Sequence, residues 1–182
     1  MKAFCLFSLV SFLFFLPSSS DGGGTSPIEG DWSIVPGAST DMATWRYRQL
    51  GLRLFTLEDH VVILHKWVER NRVAFVDSFA CVPGKGETRI PITSEIWPQN
   101  WFMGVLAKPG TDRVISGRWK EKGKALSVVS EQVVKISQGE RKLKTTWEYS
   151  VVGDTLVVRE QRATRPTPVI LKFVRAEEKK GT

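Results

Sequence analysis

The stretch Leu143-Lys144-Thr145-Thr146-Trp147-Glu148-Tyr149-Ser150-Val151-Val152 shows the cleanest alternation of inward-type and outward-type side chains in the 182-residue chain. Every second residue from Leu143 to Val151 is apolar, aromatic or threonine, and the intervening residues are mostly polar. This period of two is typical of a strand with one buried face. Gly153-Asp154 then separates the segment from a second strand-like run, Thr155–Arg162. A two-residue turn of that composition predicts a β-hairpin.

Further strands are predicted on both sides of this hairpin. They comprise His60–Glu69, Val73–Val82, Leu126–Ile136 and, after Pro166 and Pro168, Val169–Arg175. Turn-forming residues punctuate the second half of the chain at Lys108–Thr111, Lys122–Lys124 and Gln138–Glu140. The spacing of runs and turns predicts an antiparallel meander whose strands are each about ten residues long.

The fold class predicted from this pattern is all-β, an antiparallel up-and-down β-barrel of about 8–10 strands. Closure into a barrel removes the exposed strand edges that an open sheet would leave. A two-sheet sandwich is the structural alternative. One short helix is expected after the first strand, over Asp41–Leu50, with Thr40 or Asp41 as its N-cap.

The first twenty residues have the layout of a secretory signal peptide. Lys2 precedes the apolar run Ala3–Leu16, and Pro17–Ser20 supplies a helix breaker and small residues. The run is shorter than the about 20 residues of a membrane-spanning helix. We therefore expect a secreted or periplasmic protein with a signal peptide at 1–20, a flexible leader at 21–27, a barrel domain at 28–176 and a charged tail at 177–182.

The formal net charge of +7 falls to +6 when Lys2 is removed with the signal. Basic residues are spread along the chain and form no aromatic-interleaved nucleic-acid motif, and export makes nucleic acid a poor partner. The basic surface is either simply solvated or attracts anionic lipid or an envelope polymer.

Cys81 is the one cysteine left after the signal, which rules out an internal disulfide. We expect its thiol to be buried as a small apolar group.

No catalytic signature is present: the sequence lacks Gly-x-Ser-x-Gly, His-Glu-x-x-His, a phosphate-binding glycine loop and EF-hand spacing. The two histidines, His60 and His65, lie five residues apart on one predicted strand and therefore on opposite faces. They cannot clamp one metal ion, and no metal or cofactor is expected. A binding protein is favoured over an enzyme, although Asp77 or His65 could act as an acid or base.

Gly30-Asp31-Trp32 at the start of the domain and Phe173-Val174-Arg175 at its end resemble the lipocalin (calycin) pattern. The block Trp147–Leu156 is similar to secreted bacterial lipocalin-like domains. The resemblance implies a structural role for Trp32 and Arg175, with the arginine packed across the indole ring at the closed end of the barrel. It also implies an interior that holds a small, mostly apolar or amphipathic molecule.

Candidate ligand-binding residues come from the strand faces expected to line the barrel. They are His65, Phe75, Asp77, Phe79, Trp147, Tyr149 and Arg162. Asp77 lies between two phenylalanines on an apolar face, so an inward Asp77 needs a cationic partner such as Arg118 or Arg162. The alternative is a bulge that turns Asp77 outward.

Three other features leave two interpretations open. Glu160 and Arg162 continue the apolar face of Leu156 and could orient a ligand or pair with each other. The aromatic segment Trp97–Met103 packs on the core or forms a lid over the barrel mouth. The barrel itself either holds a cavity or is filled by its own side chains. A filled barrel would be an envelope interaction module that uses its basic surface.

Overall fold

The computed structural model describes residues 26–40, 49–69, 72–95, 106–164 and 166–177. Eleven strands account for most of them. In chain order they are β1 Gly30–Ile34, β2 Gln49–Leu57, β3 His60–Glu69, β4 Arg72–Cys81, β5 Thr88–Pro91, β6 Leu106–Ala107, β7 Asp112–Lys120, β8 Ala125–Ile136, β9 Gly139–Val152, β10 Thr155–Arg162 and β11 Val169–Arg175. Short 3-10 turns occupy Pro36–Ala38 and Glu121–Gly123.

The strands form one antiparallel sheet in the order β4-β3-β2-β1-β11-β10-β9-β8-β7-β5, and β6 pairs with β8. Neighbours in the sheet are mostly neighbours in sequence, because hairpins connect them. Three pairings are exceptions: β5 with β7, β6 with β8, and β1 with β11, the last of which joins the first strand to the last. The predicted all-β, up-and-down barrel is confirmed, and it is one nearly closed sheet rather than a two-sheet sandwich.

The alternation seen in the sequence sets which side chains face the interior. On β9, Leu143, Thr145, Trp147 and Tyr149 are all buried, whereas Lys144 between them is exposed. The turn at Gly153-Asp154 is present, with Gly153 at a φ of 60° that suits glycine in a tight hairpin. The main core draws on almost every strand, and a smaller second cluster forms around Ala107, Val134 and Leu143.

One end of the barrel is closed by Trp32 on β1 and Arg175 on β11, which lie opposite each other in the ladder. The Arg175 guanidinium stands 3.9 Å from the centre of the Trp32 ring and donates hydrogen bonds to the carbonyls of Pro27 and Glu29. The indole nitrogen donates to the carbonyl of Ile28 at 2.9 Å. These contacts fasten residues 27–29 across the barrel end.

Gly30 is required at this end for two separate reasons. Its φ of 128° is a conformation that side chains rarely permit. A Cβ built on it would also collide with Nη1 of Arg175. The Gly-x-Trp spacing therefore has a physical basis, because the glycine leaves room for the guanidinium that covers the tryptophan.

No ladder of backbone hydrogen bonds joins β4 to β7 among the described residues. The two strands face each other across this gap in the sheet, the seam. A backbone hydrogen bond from Gly84 to the carbonyl of Gly117 and the packing of Cys81 against Gly117 hold the two sides together. No side chain larger than hydrogen fits at Gly117, since a Cβ there would meet Sγ of Cys81.

Burial raises the pKa of the Cys81 thiol to about 11, so the thiol stays protonated and unreactive at neutral pH.

Two predictions fall partly or wholly outside the described residues. Of the helix expected over Asp41–Leu50, residues 41–48 are not described, and the prediction is wrong for Gln49 and Leu50, which begin β2. The aromatic segment Trp97–Met103 also lies outside the described residues.

Candidate functional site

Six of the seven candidate ligand-binding residues lie on the inner face of the barrel. His65, Phe79, Trp147, Tyr149 and Arg162 are buried, and the Asp77 side chain is 15% exposed. The seventh, Phe75, has its backbone in β4 opposite Trp67, but its side chain lies outside the described residues. The ladder places His65 directly opposite Asp77 on the neighbouring strand.

An aromatic cluster forms the middle of this inner face. The Phe79 and Trp147 rings stack with 5.7 Å between their centres, and the His65 ring lies 5.9 Å from Phe79 and 6.5 Å from Trp147. These residues come from β3, β4 and β9, so only the curvature of the barrel brings them together. The cluster offers a flat apolar surface to a molecule in the interior.

Arg113 on β7 links this aromatic cluster to Asp77. Its guanidinium lies 4.6 Å from the centre of the Phe79 ring and 5.8 Å from that of Trp147. Nη1 of Arg113 bonds Oδ1 of Asp77 at 2.8 Å, and Nε donates to Oγ of Ser130 at 3.0 Å. The Asp77–Arg113 ion pair bridges the seam between β4 and β7.

The partners proposed for Asp77 from the sequence were wrong. Arg118 is exposed, because it lies an odd number of residues from the inward Arg113 on the same strand. Arg162 is buried but bonds Oε1 of Glu160 through Nε at 2.5 Å. Asp77 does face the interior, and no bulge turns it outward; the one irregularity between β3 and β4 lies at Trp67/Val68.

Glu160 connects the second ion pair to the aromatic cluster. Its Oε2 accepts a hydrogen bond from Nε1 of Trp147 at 3.3 Å, while Oε1 accepts from Arg162. Glu160 is only 2% exposed and Arg162 only 6%. A carboxylate buried this deeply is tolerated because a guanidinium and an indole N–H satisfy it.

Two buried polar atoms on the inner face have no hydrogen-bond partner within the described part of the chain. They are the Tyr149 hydroxyl oxygen and Nε2 of Gln132. Burial, followed by the negative charges of Glu160 and Asp77, raises the pKa of Tyr149 well above its usual value, so the hydroxyl keeps its proton. Buried donors in folded proteins are nearly always satisfied by protein, water or ligand.

His65 is held neutral by its surroundings. Burial is the main cause that lowers its pKa, and the positive charge of Arg113 adds to this effect, while Asp77 and Glu160 oppose it. A neutral imidazole beside two aromatic rings can accept or donate one hydrogen bond without adding charge to the interior.

The lowered pKa of His65 predicts a loss of stability in mild acid. The unfolded chain takes up a proton near pH 6.5 and the folded chain does so only at lower pH. The free energy of unfolding should therefore fall as the pH drops from 7 towards 5, by up to about 1.4 kcal/mol per pH unit. In His65→Gln this slope should largely disappear, as urea denaturation at several pH values would measure.

His60→Gln is the matched control, because His60 is an exposed histidine on the same strand that contacts Asp59. That variant should keep the slope of the parent protein. Measurements above pH 5 avoid most of the carboxylate titration of the unfolded chain. Equal slopes for His65→Gln and the parent would contradict the assignment of a neutral, buried His65.

Three solved structures show what this arrangement of strands is similar to. A fatty acid binding protein of Schistosoma mansoni in complex with arachidonic acid matches with a TM-score of 0.52 and 14% identity, over 85% of this chain and 100% of that chain. This chain folds as a calycin barrel. The calycin barrel predicted from Gly30, Trp32 and Arg175 is thereby confirmed as a fold.

Two further structures align with the calycin barrel over similar lengths. A secretory abundant heat soluble protein from Ramazzottius varieornatus gives a TM-score of 0.49 and 11% identity, over 83% of this chain and 96% of that chain. Echinococcus granulosus fatty-acid-binding protein 1 gives 0.48 and 9%, over 83% and 98%. Neither a family model nor a curated protein sequence matches the chain.

Some interior residues of the calycin barrel were not among the candidates chosen from the sequence. They are Arg113, Ser130 and Gln132, all buried, whereas Glu160 was already expected on this face, orienting a ligand or paired with Arg162. The alternation of side chains along β7 could have identified Arg113, because Arg113 shares a face with Ile115, which is fully buried. Ser130 and Gln132 share the inner face of β8 with Val128 and Val134, so the alternation of that strand also indicates that they point inward.

The described residues of the calycin barrel contain neither a cluster of metal-ligating side chains nor a membrane-spanning helix. Among them, no three His, Cys, Asp or Glu side chains come together as a metal site would require. None of the helices in that part of the chain has the length and apolar character needed to span a bilayer.

Proposed function

We propose that this protein is an exported calycin barrel that binds a small apolar or amphipathic molecule in its interior. Burial of the apolar part of the ligand would supply the binding energy, at about 25 cal/mol per Å² removed from water. The aromatic surface of Phe79 and Trp147 would contact that part. The signal-like composition of residues 1–20 supports the export part of the proposal.

The observation that carries the proposal is the pair of unsatisfied polar atoms, the Tyr149 hydroxyl and the Gln132 amide, on the inner face of the barrel. A core filled entirely by its own side chains would leave few such atoms. An interior that takes up a ligand or water explains them. The complex of the Schistosoma mansoni protein with arachidonic acid supports the same use of this fold.

A neutral apolar dye, Nile red, tests the proposal directly. Titration should increase the dye fluorescence and quench tryptophan emission, because Trp147 lines the proposed site. Thr145→Phe should weaken dye binding at least about tenfold, since Thr145 faces inward beside Trp147 and a phenyl ring would occupy the interior. Native mass spectrometry of protein from its own host should show a co-purified small molecule.

Thr146→Phe is the matched control, because Thr146 lies on the same strand and faces outward. It adds the same ring to the surface and should leave dye affinity unchanged. Circular dichroism of both variants checks that the barrel still folds. A folded parent protein that takes up no dye, or two variants that bind dye equally well, would contradict an interior site and favour the filled barrel.

A further inference from the structure

The charges buried inside the barrel cancel. Among the described residues, the buried charged side chains are Arg113, Glu160 and Arg162, and Asp77 pairs with Arg113 at 15% exposure. Each arginine has a carboxylate partner, at 2.8 Å for Arg113–Asp77 and 2.5 Å for Arg162–Glu160. His65 adds no charge near neutral pH, because burial lowers its pKa. Within the part of the chain that the structure describes, the interior thus holds two matched ion pairs and no surplus cation.

A matched interior is a poor receptor for an anion. A ligand carboxylate would compete with Asp77 for Arg113 and with Glu160 for Arg162. Either exchange would leave a buried protein carboxylate without its partner, which is strongly unfavourable. The stacking of Arg113 over Phe79 and its bond to Ser130 further hold that guanidinium in place.

The interior does offer uncharged donors. The Tyr149 hydroxyl keeps its proton and the Gln132 side chain presents an N–H, and neither has an acceptor in the described part of the protein. Tyr149 is on β9 and Gln132 on β8, with Tyr149 opposite Leu126 and Gln132 opposite Leu143 in the ladder. They therefore lie at different depths, and each could meet one oxygen atom of a ligand.

We infer that the barrel selects a lipid-like molecule with an uncharged, oxygen-bearing polar group, such as an alcohol, amide or ester, over the corresponding carboxylate. This inference rests on the proposed function, since it concerns the same interior site. The polar group accepts a hydrogen bond from Tyr149 or Gln132, and the chain packs against the aromatic cluster. Both ion pairs of the protein stay intact.

Ligands that share one alkyl chain and differ only in their head group separate the preference for a head group from the affinity for the apolar part. Dodecanol, dodecanamide and dodecanoate would each displace Nile red from the parent protein at pH 8, where the acid is ionised. The alcohol and the amide should bind at least about tenfold more tightly than dodecanoate. Equal or tighter binding of dodecanoate would overturn the inference while leaving the proposed function standing. Failure of all three ligands and of the dye would overturn the proposed function, and the inference with it.

Asp77→Asn tests whether the balance of buried charges causes the preference for an uncharged head group over a carboxylate. It removes the partner of Arg113 and leaves a surplus positive charge inside, so affinity for dodecanoate should rise at least about tenfold relative to dodecanol. Asp112→Asn removes the same charge from an exposed position beside Arg89 and should leave the preference unchanged. Glu160→Gln, which removes the carboxylate bonded to Nε of Arg162, is the second variant if Asp77→Asn does not fold. An unchanged preference in a folded Asp77→Asn or Glu160→Gln protein would overturn the inference.

Discussion

Replacing Arg162 with methionine is expected to lower the free energy of unfolding by about 3–5 kcal/mol. The reason is that Glu160, only 2% exposed, would keep its negative charge inside the barrel with the Trp147 N–H but without its guanidinium. Removing one member of a buried ion pair costs far more than the pair itself contributes. Urea denaturation followed by tryptophan fluorescence would measure the change.

Arg159→Met is the matched control for this experiment. Arg159 is on the same strand, faces outward and is exposed, so its replacement should change stability by about 0.5 kcal/mol or less. The double variant Glu160→Gln/Arg162→Met should recover part of the loss, because glutamine removes the charge and still accepts from Trp147. Comparable stabilities of Arg162→Met and Arg159→Met would contradict a buried, mutually dependent pair.

The second large effect is expected for Gly30→Ala, with a loss of about 2–4 kcal/mol from backbone strain and a displaced cation–π contact. Alanine would be forced into a φ of 128°, and its methyl group would push Arg175 off the Trp32 ring. The segment 27–29, which the guanidinium holds through two carbonyls, would loosen with it. Thermal or urea unfolding would report the loss.

Gly37→Ala provides the comparison, because nothing lies within 4 Å of a Cβ at Gly37 and its backbone suits any residue. Its stability should stay within about 1 kcal/mol of the parent. Arg175→Ala combined with Gly30→Ala separates strain from collision: the double variant should cost less than the sum of the two single variants. Full additivity would mean that Gly30 and Arg175 act independently, against the geometry of the closed end.

Local patterns were enough to predict six of the strands, β3, β4 and β8 to β11. The bounds of β3, β10 and β11 coincide with those predicted from alternation, because an apolar residue at every second position can bury one face only in an extended chain. The same alternation predicted that His65 and His60 lie on opposite faces of the strand, and the structure buries His65 and exposes His60. The Gly153-Asp154 turn was equally predictable, since glycine supplies the positive φ that a tight hairpin needs.

The sequence by itself thus determined the all-β class, most strands, and which face of each strand lies inside. Only the tertiary structure decided which inward groups meet. Asp77 pairs with Arg113, 36 residues away, across a seam that no ladder joins, and the choice between Arg113, Arg118 and Arg162 depends on how the sheet curves. Alternation fixes the direction of a side chain along its own strand, whereas the Asp77–Arg113 ion pair needs two separate strands at a set distance, which only closure of the barrel provides.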